Sequence, residues 1–167
     1  MKKFLMTLIA KVKPKPIVVA IVAAASITLA SCSKDPYDKV IDFVKDATEQ
    51  VKNAESMEEI DNISRELESK IKKWSAENED IDIEQISEAQ QKEMSEASME
   101  FGRTLVKNIT KQVKNAKSRE EVFNIISEFQ SNDNEYIKFA ILFREQELQE
   151  EYKELGKAVQ ETLAKFN

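Results

Sequence analysis

The 167-residue sequence predicts an all-α protein: an elongated antiparallel bundle of about five helices that contains a duplicated helical hairpin. Three observations predict it. Glycine occurs twice and proline three times, with Pro14 and Pro16 near the N-terminus, so few tight turns are available. Ala, Glu, Lys, Gln, Leu and Ile dominate, and these residues favour helix. Finally, QVKNAESMEEIDNISRELES at 50–69 returns as QVKNAKSREEVFNIISEFQS at 112–131, with twelve of 20 positions identical at an offset of 62. A repeat of this kind reports a repeated structural unit.

The first predicted helix starts at Asp35-Pro36, where Asp suits the N-cap and Pro the first helical position. Tyr37, Val40, Val44, Ala47, Val51 and Ala54 follow at spacings of three and four, a heptad-like seam widened by Ile41 and Phe43. The second helix runs from about Met57 to Glu77, with Ile60, Ile63, Leu67, Ile71 and Trp74 on one face. ENEDID, 77–82, is an acidic connection. The third is expected from near Ile83, with Asp82 and Gln85 as capping pair, to Ala116. Its stripe holds Ile86, Met94, Ala97, Phe101, Leu105, Ile109 and Val113, and Gly102 inside it marks a close crossing or a local break. The fourth spans Arg119 to about Gln130, with Val122, Ile125, Ile126 and Phe129, and ends at SNDN, 131–134. The fifth is expected to run unbroken from Glu135 to about Lys165. At 1.5 Å per residue the third and fifth helices would each reach about 50 Å.

Both repeats carry the same punctuation. Ser56 precedes Glu59 by three and Ser118 precedes Glu121 by three, the S-x-x-E capping box. In it the serine oxygen accepts an orphan backbone N–H and the glutamate reaches back to the cap's own N–H. One helix therefore ends near Ala54 or Ala116 and the next begins at Met57 or Arg119. Such a short turn joins antiparallel neighbours. The reading treats QVKNA as a helix end, not as a binding motif.

The N-terminus has a different composition. Lys2, Lys3, Lys11, Lys13 and Lys15 form a basic head without acids, IVVAIVAAASI at 17–27 is an apolar or small run, and small residues close it. This is the pattern of a secretory signal peptide. The run from Ile17 to Ala30 is shorter than the roughly 20 residues of a membrane span. Leu29-Ala30-Ser31-Cys32 then resembles the lipobox of bacterial lipoproteins. The resemblance implies peptidase recognition of Leu29, Ala30 and Ser31, and a diacylglycerol on the thiol of Cys32. It also implies cleavage before Cys32 and acylation, with palmitate or a similar chain, of the new amine. Ser33, where aspartate would favour inner-membrane retention, resembles outer-membrane sorting, and Lys34-Asp35 resembles the start of a surface-export signal. The periplasmic face and the cell surface both remain open. Residues 1–31 are thus expected to be a removed signal peptide and 32–35 a lipidated cysteine and short tether. Residues 36–167 would then form a helical domain with an internal repeat at about 39–78 and 101–140. Beyond the lipobox the chain is similar to small helical lipoproteins as a group.

Composition limits the chemistry. Residues 1–31 hold five of the 25 basic side chains and no acid, so the remainder carries 20 basic against 31 acidic groups, a net charge of −11. Strong acidity disfavours nucleic acid, which is bound through Lys and Arg on phosphate. Histidine is absent and Cys32 has no second cysteine to pair with, so Ser-His and Cys-His catalysis and the usual zinc sites are unavailable. Asp80, Asp82 and Glu84 faintly resemble the start of a calcium loop, but Gln85 stands where that loop needs glycine. The acids of the last helix, Glu145, Glu147, Glu150, Glu151 and Glu154, read as a solvated face with Arg144 and Lys153. Trp74, Met94 and Met99 read as packing.

No catalytic residue, metal or cofactor is expected. The expected role is a lipid-anchored, non-catalytic interaction or scaffold module in the cell envelope. Its partners would be the membrane, through the lipid, and another envelope protein. The alternative is a binder of a small apolar or lipid-like ligand between the helices. In either case YIKFAILF, 136–143, is the most apolar stretch after the signal peptide. Tyr136, Ile137, Phe139, Ile141, Leu142 and Phe143 are the candidate surface, and burial of this run within the bundle is the competing reading.

Overall fold

The structure, a computed structural model, describes residues 36–78, 86–132, 134 and 147–166. Five helices occur among them: α1 (Pro36–Asn53), α2 (Met57–Glu77), α3 (Glu88–Asn115), α4 (Arg119–Ser131) and α5 (Gln149–Ala164). The protein is an all-α bundle, with no strand among the described residues. No helix among them is long and apolar enough to cross a membrane.

The seam of α1 becomes the first wall of the core. Tyr37, Val40, Val44, Ala47, Val51 and Ala54 are all buried. Each fully buried aliphatic side chain contributes about 1.5–3 kcal/mol relative to exposure. α2 returns antiparallel: the Tyr37 ring near the start of α1 lies 5.1 Å from the Trp74 ring near the end of α2. Ile60, Leu67, Ile71 and Trp74 complete this layer, while Ile63 is half-buried.

α3 is the axis of the molecule and packs against α1, α4 and α5. Phe101, Leu105, Val106, Ile109 and Val113 have no measurable exposure. Beside α1 it runs in the same direction. Asp38 meets Gln90 at 3.1 Å, Lys45 meets Glu93 at 2.6 Å, and the Val51 carbonyl meets Asn108 at 2.7 Å. The hairpin is thus antiparallel within itself, while the equivalent helices of the two repeats lie side by side and parallel. α3 is continuous through the buried Gly102, so the glycine breaks nothing.

Two expected boundaries are corrected. α3 begins at Glu88, not near Ile83. Ser87 is the N-cap: its Oγ accepts from the Gln90 backbone N–H, and the Gln90 side chain accepts from the Ser87 backbone N–H. This reciprocal pair satisfies two donors, and Asp82 and Gln85 lie outside the described residues. Ile86 precedes the cap and is buried without being helical. The unbroken fifth helix is also corrected, because Glu147 and Leu148 form a turn and α5 starts only at Gln149. Leu148, the N-cap, has no side-chain oxygen to cap with and is held instead by complete burial. At 1.5 Å per residue α3 is about 42 Å long and α5 about 24 Å, not 50 Å each.

Candidate functional site

Every residue that the sequence nominates as functional lies outside the described residues: Leu29, Ala30, Ser31 and Cys32, and Tyr136, Ile137, Phe139, Ile141, Leu142 and Phe143. The described part instead shows what the two ends of the bundle present.

The end nearest residue 35 carries an aromatic pair. Tyr37 and Trp74 meet there. Trp74 is buried at 8 % exposure, yet its Nε1–H has no hydrogen-bond partner among the described residues. Asn78 closes α2 by donating its side-chain amide to the Trp74 carbonyl at 2.7 Å.

The opposite end carries both hairpin turns, and they match atom for atom. Ser56 and Ser118 have φ/ψ of −140/162° and −146/161°. Each hydroxyl accepts from the N–H three residues on, at 3.2 Å from Glu59 and 3.1 Å from Glu121. The glutamates reach one residue further than a capping box requires. Glu59 accepts from the Glu55 N–H at 2.8 Å and Glu121 from the Lys117 N–H at 2.7 Å, not from the serine N–H. QVKNA thus forms a helix end in both copies. Val51 and Val113 are fully buried, and Ala54 and Ala116 donate their N–H to those valines' carbonyls. Buried Thr48 and Thr110 bond back to Val44 and Val106 alike.

Between the turns sits a residue that the sequence reading passed over. Asn108 is 4 % exposed on α3 and donates to the carbonyls of Val51 at 2.7 Å and Ala54 at 2.9 Å. Both lie at the end of α1, where the Val51 carbonyl otherwise has only the Ala54 N–H and the Ala54 carbonyl is an orphan acceptor. The signal was present: a polar residue beside the apolar stripe, where the first repeat has exposed Asp46. At the far side of α4, Asn132 donates to Asp61 at 3.1 Å and buried Asn134 to Glu68 at 3.2 Å. Asn132 and Asn134 therefore strap the end of α4 onto α2.

The acidic face of α5 is tied down by a partner that sequence did not identify. Arg103 of α3 donates from Nε to Glu151 at 2.9 Å and from Nη1 to Glu100 at 3.2 Å. Partial burial lowers the Arg103 pKa, but the hydrogen bonds to Glu151 and Glu100 outweigh it and hold the group above its ordinary value. Trp74 and Met94 are core, as read. Met99 is half-buried, and its sulfur lies 3.7 Å from an Arg103 nitrogen. No group of three or more acids or cysteines able to hold a metal occurs among the described residues. Comparison with protein-family models, curated proteins and solved structures finds no match.

Proposed function

We propose that the chain is an envelope lipoprotein, anchored by acyl chains on Cys32, whose helical domain acts as a non-catalytic interaction or scaffold module at the outer membrane. Leu29-Ala30-Ser31-Cys32, at the end of a basic-then-apolar leader, carries this reading. One acyl chain binds a bilayer marginally and two or more bind it stably. Three residues, 33–35, separate Cys32 from the first residue of α1. They span about 10 Å at most, which would hold the bundle close to the lipid. Cys32→Ser tests the anchor: wild-type cells should incorporate radiolabelled palmitate into this chain and retain it in membranes, and the variant should do neither. Mild crosslinking in membranes, read against an unrelated lipoprotein, tests the partner. Enrichment of nothing specific would remove the scaffold reading and leave the anchor standing.

A second reading, a small apolar ligand between the helices, has one observation in its favour. The buried Nε1–H of Trp74 is a donor that a ligand oxygen could satisfy. Native mass spectrometry showing a co-purifying small molecule, lost in Trp74→Phe, would support it.

A further inference from the structure

We propose that the chain pairs with a second copy of itself through the end that carries the two hairpin turns, the second turn of each copy lying against the first turn of the other. The inference goes beyond the anchored-module reading and holds whether or not Cys32 is acylated.

The duplication supplies the main observation. Residues 49–59 and 111–121 are equivalent and agree at eight of eleven positions. All three differences move charge the same way: lysine stands at 111 and 117 where glutamate stands at 49 and 55, and Arg119 replaces Met57. The first window sets Lys52 against four glutamates, net −3; the second sets four basic residues against Glu120 and Glu121, net +2. Every charged side chain in both windows is exposed. In the first, Lys52 is drawn to Glu49 at 3.4 Å. In the second, no ammonium of Lys111, Lys114 or Lys117 is joined to a carboxylate among the described residues. A chain of net charge −6 thus gathers three lysines at one tip without a carboxylate partner among the described residues.

The shape is complementary as well. Because α1 and α3 are parallel, both turns share one end of the bundle. Asn108 of α3 marks where α1 stops, and α3 continues seven residues further, to Asn115. The basic turn therefore projects about 10 Å beyond the acidic one. A twofold axis through this end seats each projecting basic turn in the recess above the other copy's acidic turn, and satisfies both contacts with one arrangement. Phe123 stands beside the projection at 51 % exposure, with the Arg119 guanidinium 5.6 Å from its ring centroid. Aromatic and arginine side chains of this kind anchor interfaces. Two turns bury less than the roughly 1,200 Å² of a stable interface, so the pair is weak and salt-sensitive.

Sedimentation of the full-length chain in a non-ionic detergent tests this. The wild type should form dimers at low salt that dissociate at high salt. The double variants Lys111→Glu/Lys117→Glu and Glu49→Lys/Glu55→Lys should each associate at least about tenfold more weakly, the loss expected when close charge pairs are reversed. Mixed one to one, they should recover the dimer, because one now has two acidic turns and the other two basic ones. Circular dichroism checks that both remain folded. A wild type that stays monomeric at low salt, variants that associate like the wild type, or a mixture that stays monomeric would each overturn the proposal.

Discussion

The two hairpin turns share their backbone and differ in what surrounds them. Ser56 and Ser118 adopt the same conformation, and Glu59 and Glu121 close the same ring of hydrogen bonds. Yet Met57 is buried at 5 % while Arg119 is exposed, and Asp61 lies under Asn132 while Phe123 faces solvent. Local hydrogen bonding is set within five residues and survives duplication unchanged. Burial is set by neighbours, and the neighbours differ: the strap after α4 covers the start of α2, and α3 carries the second turn past the end of α1. Of the three positions where the second copy gains positive charge, only Arg119 replaces a buried residue.

The largest effect expected from this contrast is at the first helical position of each second helix. Met57→Ala should cost about 2–5 kcal/mol of stability, as for other large-to-small changes in a core. Arg119→Ala, at the equivalent exposed site, should stay within about 0.5 kcal/mol. Denaturant unfolding followed by circular dichroism measures both, and similar losses would break the contrast.

Asn108→Ala comes next, at about 1–3 kcal/mol, because it leaves the Ala54 carbonyl without its donor and the Val51 carbonyl with only the Ala54 N–H. Asp46→Ala, at the equivalent exposed position, should be close to neutral in the same assay. A further comparison sharpens the likeness instead of the difference. Ser56→Ala and Ser118→Ala should each cost about 1 kcal/mol, the ordinary value of an N-cap, and should agree with each other.

The smallest effect is electrostatic. Lys45 donates to Glu93, and that hydrogen bond raises its pKa above the ordinary 10.5. A raised folded pKa means stabilisation that is whole below the unfolded value and is lost as pH climbs through the folded one. The pair is exposed and contributes under about 1 kcal/mol. Lys45→Met should therefore erase a small stability decline above pH 10.5 and leave neutral stability nearly unchanged, as read from unfolding midpoints across pH.

Much of this architecture is legible in the residues. The three-four spacing from Tyr37 to Ala54 identifies a buried seam, and every position in it is buried. The S-x-x-E pairs locate both turns to the residue. At the start of α3, Asp82 and Gln85 offer an acceptable cap on paper, but the cap that α3 uses is the pair Ser87 and Gln90. The break before α5 has no local signal, because Leu148 carries no cap chemistry and its burial is a tertiary contact. The nominated anchor and apolar stretch lie outside the described residues, so the parts of the candidate surface that can be drawn are ones the sequence reading left aside: Asn108, Arg103 and the charge of the second turn.

Sequence by itself determined the helical class, the serine caps of the two hairpin turns and the apolar faces, because those depend on interactions between residues a few positions apart. Tertiary structure decided that equivalent helices run parallel, that Asn108 finishes α1, and that one turn projects past the other. Those outcomes depend on which helices become neighbours, and no local pattern of residues carries that information.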